Sequence, residues 1–372
     1  MKSRYLILII AAIILIGGCI TQFIPETDES SDILVVEGMI TDQFRTNKIK
    51  ISKTLPLGKI VSPKPVKGAV VTITDGYNSQ YRLMEYPTGT YYTDSTIFRG
   101  KVGGKYTLRI LTGGRSYVSS PMEMKPVPKV DSLYYEKVVI TERNEWGYGE
   151  EGCQIYLDTY DPSGQCLFYR WDFAETWEIR LPYNVPNWKC WITRASEVIN
   201  IRNTSVYGQA RVKRYPLLFV SNKTDRLKEK YSILVKQLSL TLDEFNYWEK
   251  LQNVYENVGG LYDVTPMAIP SNIRNEYNPD EIVLGYFSVS AVSEKRIFID
   301  ELFSGMPYLY NNCPADTIWG GSYVHIDGLG SYVWVIDDHT YDIGNPYRVI
   351  TFSKECADCT TRGTSVKPSF WE

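Results

Sequence analysis

Hydrophobic and polar residues alternate with a period of two along most of this chain, and that period predicts strands. The clearest run is Leu167–Leu181. Its odd positions are Leu167, Tyr169, Trp171, Phe173, Glu175, Trp177, Ile179 and Leu181, all apolar except Glu175. Its even positions carry Arg170, Asp172, Thr176, Glu178 and Arg180, with Phe168 and Ala174 as exceptions. One buried face and one wet face is the signature of an antiparallel sheet packed on one side. The run exceeds an ordinary strand in length, so a bend or bulge is expected near Ala174-Glu175.

Shorter runs repeat the pattern. Ala69–Thr74 alternates and stops at the turn signal Asp75-Gly76. Lys105–Ile110 sets Tyr106, Leu108 and Ile110 on one face against Lys105, Thr107 and Arg109 on the other. Pro121, Pro126 and Pro128 then mark a boundary, because a central strand cannot hold so many prolines. Further strands are predicted at 198–203, 215–221, 231–238, 282–292 and 296–300. One helix interrupts them. Thr241 caps it, Glu244 completes a capping box, and Leu242, Phe245, Trp248, Leu251, Tyr255 and Val258 follow at helical spacing before Gly259-Gly260. Its aromatic stripe reads as packing against an edge or end of the second region. The fold class is therefore mainly β. Residues 33–128 form an N-terminal Ig-like antiparallel sandwich. Residues 129–372 form a larger β-rich domain with helix 242–258 and a cysteine-containing tail.

The first residues break the pattern. Lys2 and Arg4 precede an apolar run, Tyr5 to Ile16, and then Gly17-Gly18-Cys19. The apolar run is shorter than the ~20 residues of a spanning helix and has the layout of a signal peptide, residues 1–18. A cysteine directly behind two small residues resembles a bacterial lipobox, which implies lipidation at Cys19; the alternative is an uncleaved membrane anchor with an incidental cysteine. Ile20 stands where an aspartate would signal inner-membrane retention, so the expected address is the outer membrane. Glu26, Asp28, Glu29 and Asp32 make residues 19–32 an acidic tether or solvated linker.

Composition narrows the function classes. The chain has 372 residues and a net charge of −3, so no overall field calls for nucleic acid. Twenty-nine Tyr and nine Trp against two His favour strands and contact surfaces over acid–base chemistry. His325 and His339 have acids nearby, but no Gly-x-Ser-x-Gly elbow offers a nucleophile. No catalytic residue, metal site or cofactor is expected. Beyond Cys19, six cysteines in an exported chain are disulfide candidates: Cys153, Cys166, Cys190, Cys313, Cys356 and Cys359, with 15 pairings open. Cys356-Ala357-Asp358-Cys359 reads as staples holding the tail to another loop, for instance one carrying Cys313. Tyr183, Trp188 and Trp191, among Pro182, Pro186 and Asn187, are the candidate contact surface, with burial under a neighbouring loop as the alternative.

Several segments in order resemble one family of Bacteroidota outer-membrane lipoproteins, the domain of unknown function 4249. They include Val35-Val36-Glu37-Gly38, Pro65 to Val71, Gly89-Thr90-Tyr91, Gly104 to Leu108, and Lys236 to Thr241 leading into the Trp248 helix. Val283 to Ser290 and the tail Cys356 to Gly363 with Pro368-Ser369-Phe370-Trp371 complete the set. The first region alone also looks like the transthyretin-like sandwich of carboxypeptidase regulatory domains. The resemblance implies a partner of TonB-dependent outer-membrane β-barrel transporters, facing the cell exterior, that captures or gates a small-molecule, peptide or glycan cargo. An adhesin or envelope-assembly protein is the alternative class, and a surface hydrolase using His325 or His339 a third.

Overall fold

The strand Leu34–Thr41 pairs on one side with Lys48–Lys53, its hairpin partner, and on the other with Val283–Ser290, in parallel register from Leu34↔Val283 to Thr41↔Ser290. The computed structural model describes residues 33–54, 63–140, 150–257, 269–303, 313–319, 333–339 and 347–372. Signal segment, Cys19 and tether lie outside them. Among the described residues no helix is long and apolar enough to cross a membrane.

Two sheets form the first sandwich. One runs Val283–Ser290, Leu34–Thr41, Lys48–Lys53, Thr90–Tyr92, Met84–Glu85; the other runs Ile273–Asn275, Arg115–Ser119, Lys105–Thr112, Val70–Asp75, Gln80–Arg82. Their inward positions meet in one core, with Val36, Ile40, Ile49, Ile51, Ile73, Leu108, Ile110 and Phe287 almost wholly buried. The alternation read at Ala69–Thr74 and Lys105–Ile110 is what fills it. The sandwich does not end at residue 128, however. Strands Ile273–Asn275 and Val283–Ser290 return from the far part of the sequence and add one edge to each sheet.

The second core lies between two further sheets. One is Val130–Ile140, Glu150–Tyr160, Arg211–Ser221; the other is Lys189–Ala195, Phe168–Arg180, Tyr231–Ser239, Val292–Ile299, with Asn200–Asn203 alongside Phe168–Arg180. Tyr169, Trp171, Phe173, Trp177 and Ile179 all point into this core, as their odd spacing predicts. The expected bulge near Ala174-Glu175 is not formed: Tyr169 to Trp177 pair with Tyr231–Ser239 without a shift of register. The length is accommodated at the other edge, where the strand pairs first with Asn200–Asn203 and then with Lys189–Ala195. Ser196 bridges the change of partner through bonds to the Phe173 main chain, 3.0 Å from its amide and 2.7 Å from its carbonyl. Glu175, the polar exception on the odd face, is buried and accepts from Tyr231 Oη at 2.7 Å and Arg226 Nη1 at 2.8 Å.

A fifth sheet, Ala315–Trp319, Tyr347–Thr351, Trp334–His339, precedes the tail. The helix spans Leu242–Asn257. Its cap is half of the expected box. The Thr241 hydroxyl accepts from the Glu244 amide at 3.3 Å. The Glu244 carboxylate, however, turns inward: Oε1 accepts from Trp248 Nε1 at 3.4 Å and Oε2 is buried with no hydrogen-bond partner.

Candidate binding cleft at the junction of the sandwiches

Where the first sandwich meets the sheet of Phe168–Arg180 a cleft of about 930 Å³ opens. Its walls are the hairpin after Leu34–Thr41, the edge strand Val283–Ser290, the wet face of Phe168–Arg180 and Tyr231–Ser239, and the helix residues Tyr247, Trp248 and Leu251. The hairpin is held rigidly, because Asn47 Oδ1 accepts from the Thr41 amide (2.8 Å) and hydroxyl (3.1 Å). Asp42 Oδ1 joins it to the second sheet by accepting from the Val292 amide at 3.0 Å.

A row of alternating charge crosses the sheet at the cleft. Asp172 is the register partner of Lys236, and Lys236 is the register partner of Glu294. Cross-strand partners on one face lie side by side, so opposite charges there attract. Arg170 closes one end with a two-pronged bond to Asp172 (2.8 and 2.9 Å), and Arg45 of the hairpin closes the other on Glu294 at 2.9 Å. Burial, then the nearby Arg45 cation, draws Lys236 below the usual lysine pKa. The Arg170 guanidinium lies 3.9 Å from the ring centre of Trp248, a cation–π contact that fixes both groups. Tyr247 packs on Tyr286 with centroids 4.6 Å apart. Behind Trp248, burial pushes the Glu244 carboxyl up to about 7, with Ser288 and Arg170 offsetting part of the rise.

The aromatic stripe of the helix is thus divided: Phe245 is core and Trp248 lines the cleft. The sequence signal for the charge row was present in the wet positions 170 and 172. Its partners depend on strand register, which alternation alone does not give.

The expected site residues fall elsewhere. Trp188 is 42% exposed, Tyr183 is half-buried with its hydroxyl 3.4 Å from the Cys313 carbonyl, and Trp191 is buried. They do not form the expected surface together. The tail covers Trp191: its main chain exchanges two 2.9 Å hydrogen bonds with Thr364, and its ring meets Trp371 edge to face. The tail is held by Cys190–Cys359 and Cys313–Cys356. Staples from Cys356 and Cys359 are therefore observed, with Cys313 as one partner. Cys153 and Cys166 are a correction: both are free thiols, buried, with pKa pushed up to about 12 by burial. His339 sits on the fifth sheet, stacked on Tyr347 and 3.0 Å from Asp337; His325 lies outside the described residues. A smaller recess of about 300 Å³ beside the tail is lined in part by the ion pairs of Glu178 with Arg180 and Lys189.

Fold and site together define a two-sandwich β-protein with a charged and aromatic cleft at the junction. Residues 20–296, more than half of the chain, match the family described as Domain of unknown function (DUF4249), and the chain belongs to that family. The match contains every wall of the cleft and ends before the fifth sheet and the tail. No curated protein matches the chain.

Proposed function

We propose that this chain is a lipid-anchored, non-catalytic binding protein of the outer membrane that holds cargo in the junction cleft and serves a TonB-dependent transporter. The observation that carries the binding half is the cleft. It is concave, built from both sandwiches, and is lined by half-buried aromatic side chains beside fixed polar groups, the usual make-up of a ligand site. Arg170 is paired with Asp172 and Arg45 with Glu294, and no histidine is among the described residues that line the cleft. The anchoring half rests on the Gly17-Gly18-Cys19 motif and the acidic stretch behind it. The transporter as partner rests on the family resemblance and on the exterior address that the motif implies.

The test is co-purification from native membranes. Tagged full-length protein, extracted in mild detergent, is expected to bring down a large β-barrel and to carry acyl chains on Cys19. Recovery of the lipoprotein alone, under conditions that preserve known barrel–lipoprotein pairs, would remove the transporter from the reading. A Cys19→Ala chain that stays membrane-bound would remove the anchor.

A further inference from the structure

We propose that the cleft takes a neutral oligosaccharide, whose hydroxyls bridge the charge row and whose ring faces lie on the helix aromatics. This rests on the reading of the cleft as the cargo site and deepens it. The five charges of the row, Arg170, Asp172, Lys236, Glu294 and Arg45, alternate in sign and are held by register and by bonds of 2.8 to 3.9 Å. On the row itself a charged ligand group would have to displace one of these pairs, and the other charged residues of the lining, Glu37, Lys48, Lys50 and Glu197, stand outside the row. A hydroxyl both donates and accepts, so a polyol can sit on the row and leave each pair intact. Of the five N–H groups of a guanidinium, Asp172 engages those on Nε and Nη2 of Arg170, and the plane is fixed against Trp248. The fork is therefore set before any ligand arrives, which lowers the cost of ordering it on binding.

The main chain argues against a peptide held by strand addition. That mode needs an open strand edge. At the cleft, Ser196 occupies the Phe173 main chain on the sheet floor. On the edge strand Val283–Ser290, the Asn272 amide takes both bonds of Phe287, donating to its carbonyl at 2.8 Å and accepting from its amide at 2.9 Å. At Phe173 and Phe287 side chains thus occupy the main-chain groups that an added strand would use. The charge row beside Tyr247 and Trp248 is what the cleft offers a polyol ligand.

The experiment titrates the detergent-solubilised full chain with an array of neutral oligosaccharides of glucose, mannose, xylose, galactose and N-acetylglucosamine, and with a casein peptide digest, reading tryptophan fluorescence and heat. At least one neutral oligosaccharide is expected to bind saturably, with an affinity that changes less than about twofold from 50 to 500 mM salt, since no counter-charge is exchanged. Trp248→Ala is expected to weaken it by about tenfold or more, and Trp248→Phe by less than about threefold, because the ring and its packing persist. Circular dichroism of both variants separates loss of the site from loss of the fold. If peptides bind in a Trp248-dependent manner and no oligosaccharide does, the sugar class is overturned and the cargo reading stands. If neither class binds, both fall. Steep weakening by salt would also overturn the proposal.

Discussion

Gly285 lies so close to the main chain of Val36 that a Cβ at this position would stand 2.0 Å from the Val36 carbonyl oxygen. Its φ of +87° is also one that side chains rarely adopt. The two residues are register partners in the parallel pair that closes the first sandwich. Gly285→Ala is expected to lower stability by about 2–4 kcal/mol, from the combined clash and backbone strain, read as a drop in thermal midpoint. The same pairing predicts that residues 33–128 alone will not fold, because Phe287 and Val289 are missing from the core. A well-dispersed proton NMR spectrum of that fragment would contradict this.

Gln237 is the polar centre of the second core. Its Oε1 accepts from Trp171 Nε1 at 2.9 Å, and its Nε2 donates to the Pro128 carbonyl at 2.8 Å and to Thr159 Oγ1 at 3.0 Å. The amide thus ties the link between the sandwiches to both sheets. Gln237→Leu keeps the bulk but leaves the indole donor and the Pro128 carbonyl unmet. Each such orphan costs roughly 1–3 kcal/mol, so the variant is expected to lose at least about 2 kcal/mol in urea unfolding. An unchanged midpoint would show that water replaces the amide.

The cysteines divide sharply. Cys190–Cys359 closes a separation of 169 residues, for which chain entropy gives about 5 kcal/mol. Cys359→Ser is expected to approach that loss and to expose the last residues, with Trp371, to proteolysis. In a soluble form beginning after Cys19, a thiol reagent should find no reactive group in the native state. After unfolding without reductant it should find two, Cys153 and Cys166. Fast native labelling at pH 8 would be inconsistent with thiols whose pKa stands near 12.

Glu244 makes stability depend on pH. Burial pushes its carboxyl up to about 7 from an ordinary value of 4.5. Below 4.5 both folded and unfolded forms hold the proton, and the group adds no dependence. Between 4.5 and 7 only the folded form holds it, so stability falls as pH rises, by about 1.4 kcal/mol per unit and roughly 3 kcal/mol in all. Glu244→Gln is therefore expected to raise the thermal midpoint at pH 8 and to match the natural chain near pH 4. Equal midpoints at both pH values would show that the carboxyl finds a partner when ionised.

How much of this was legible follows from range. Period-two alternation set the strands at Val70–Asp75, Lys105–Thr112, Phe168–Arg180 and Tyr231–Ser239, and helical spacing set Leu242–Asn257, because those signals come from one face of one element meeting one core. The Cys-Ala-Asp-Cys spacing likewise announced a stapled tail. Contacts between residues far apart in sequence were another matter. Alternation says which face of Val283–Ser290 is buried but not that it lies parallel to Leu34–Thr41. It makes Arg170 and Asp172 wet but does not place Lys236, Glu294 and Arg45 beside them. It gives Trp191 no hint of the tail that covers it, and it does not separate the paired cysteines from the buried pair. By itself the sequence determined the elements, their inward faces and the anchoring motif. The tertiary structure decided register, strand partners and the cleft, because these depend on which surfaces meet, and local periodicity carries no record of that.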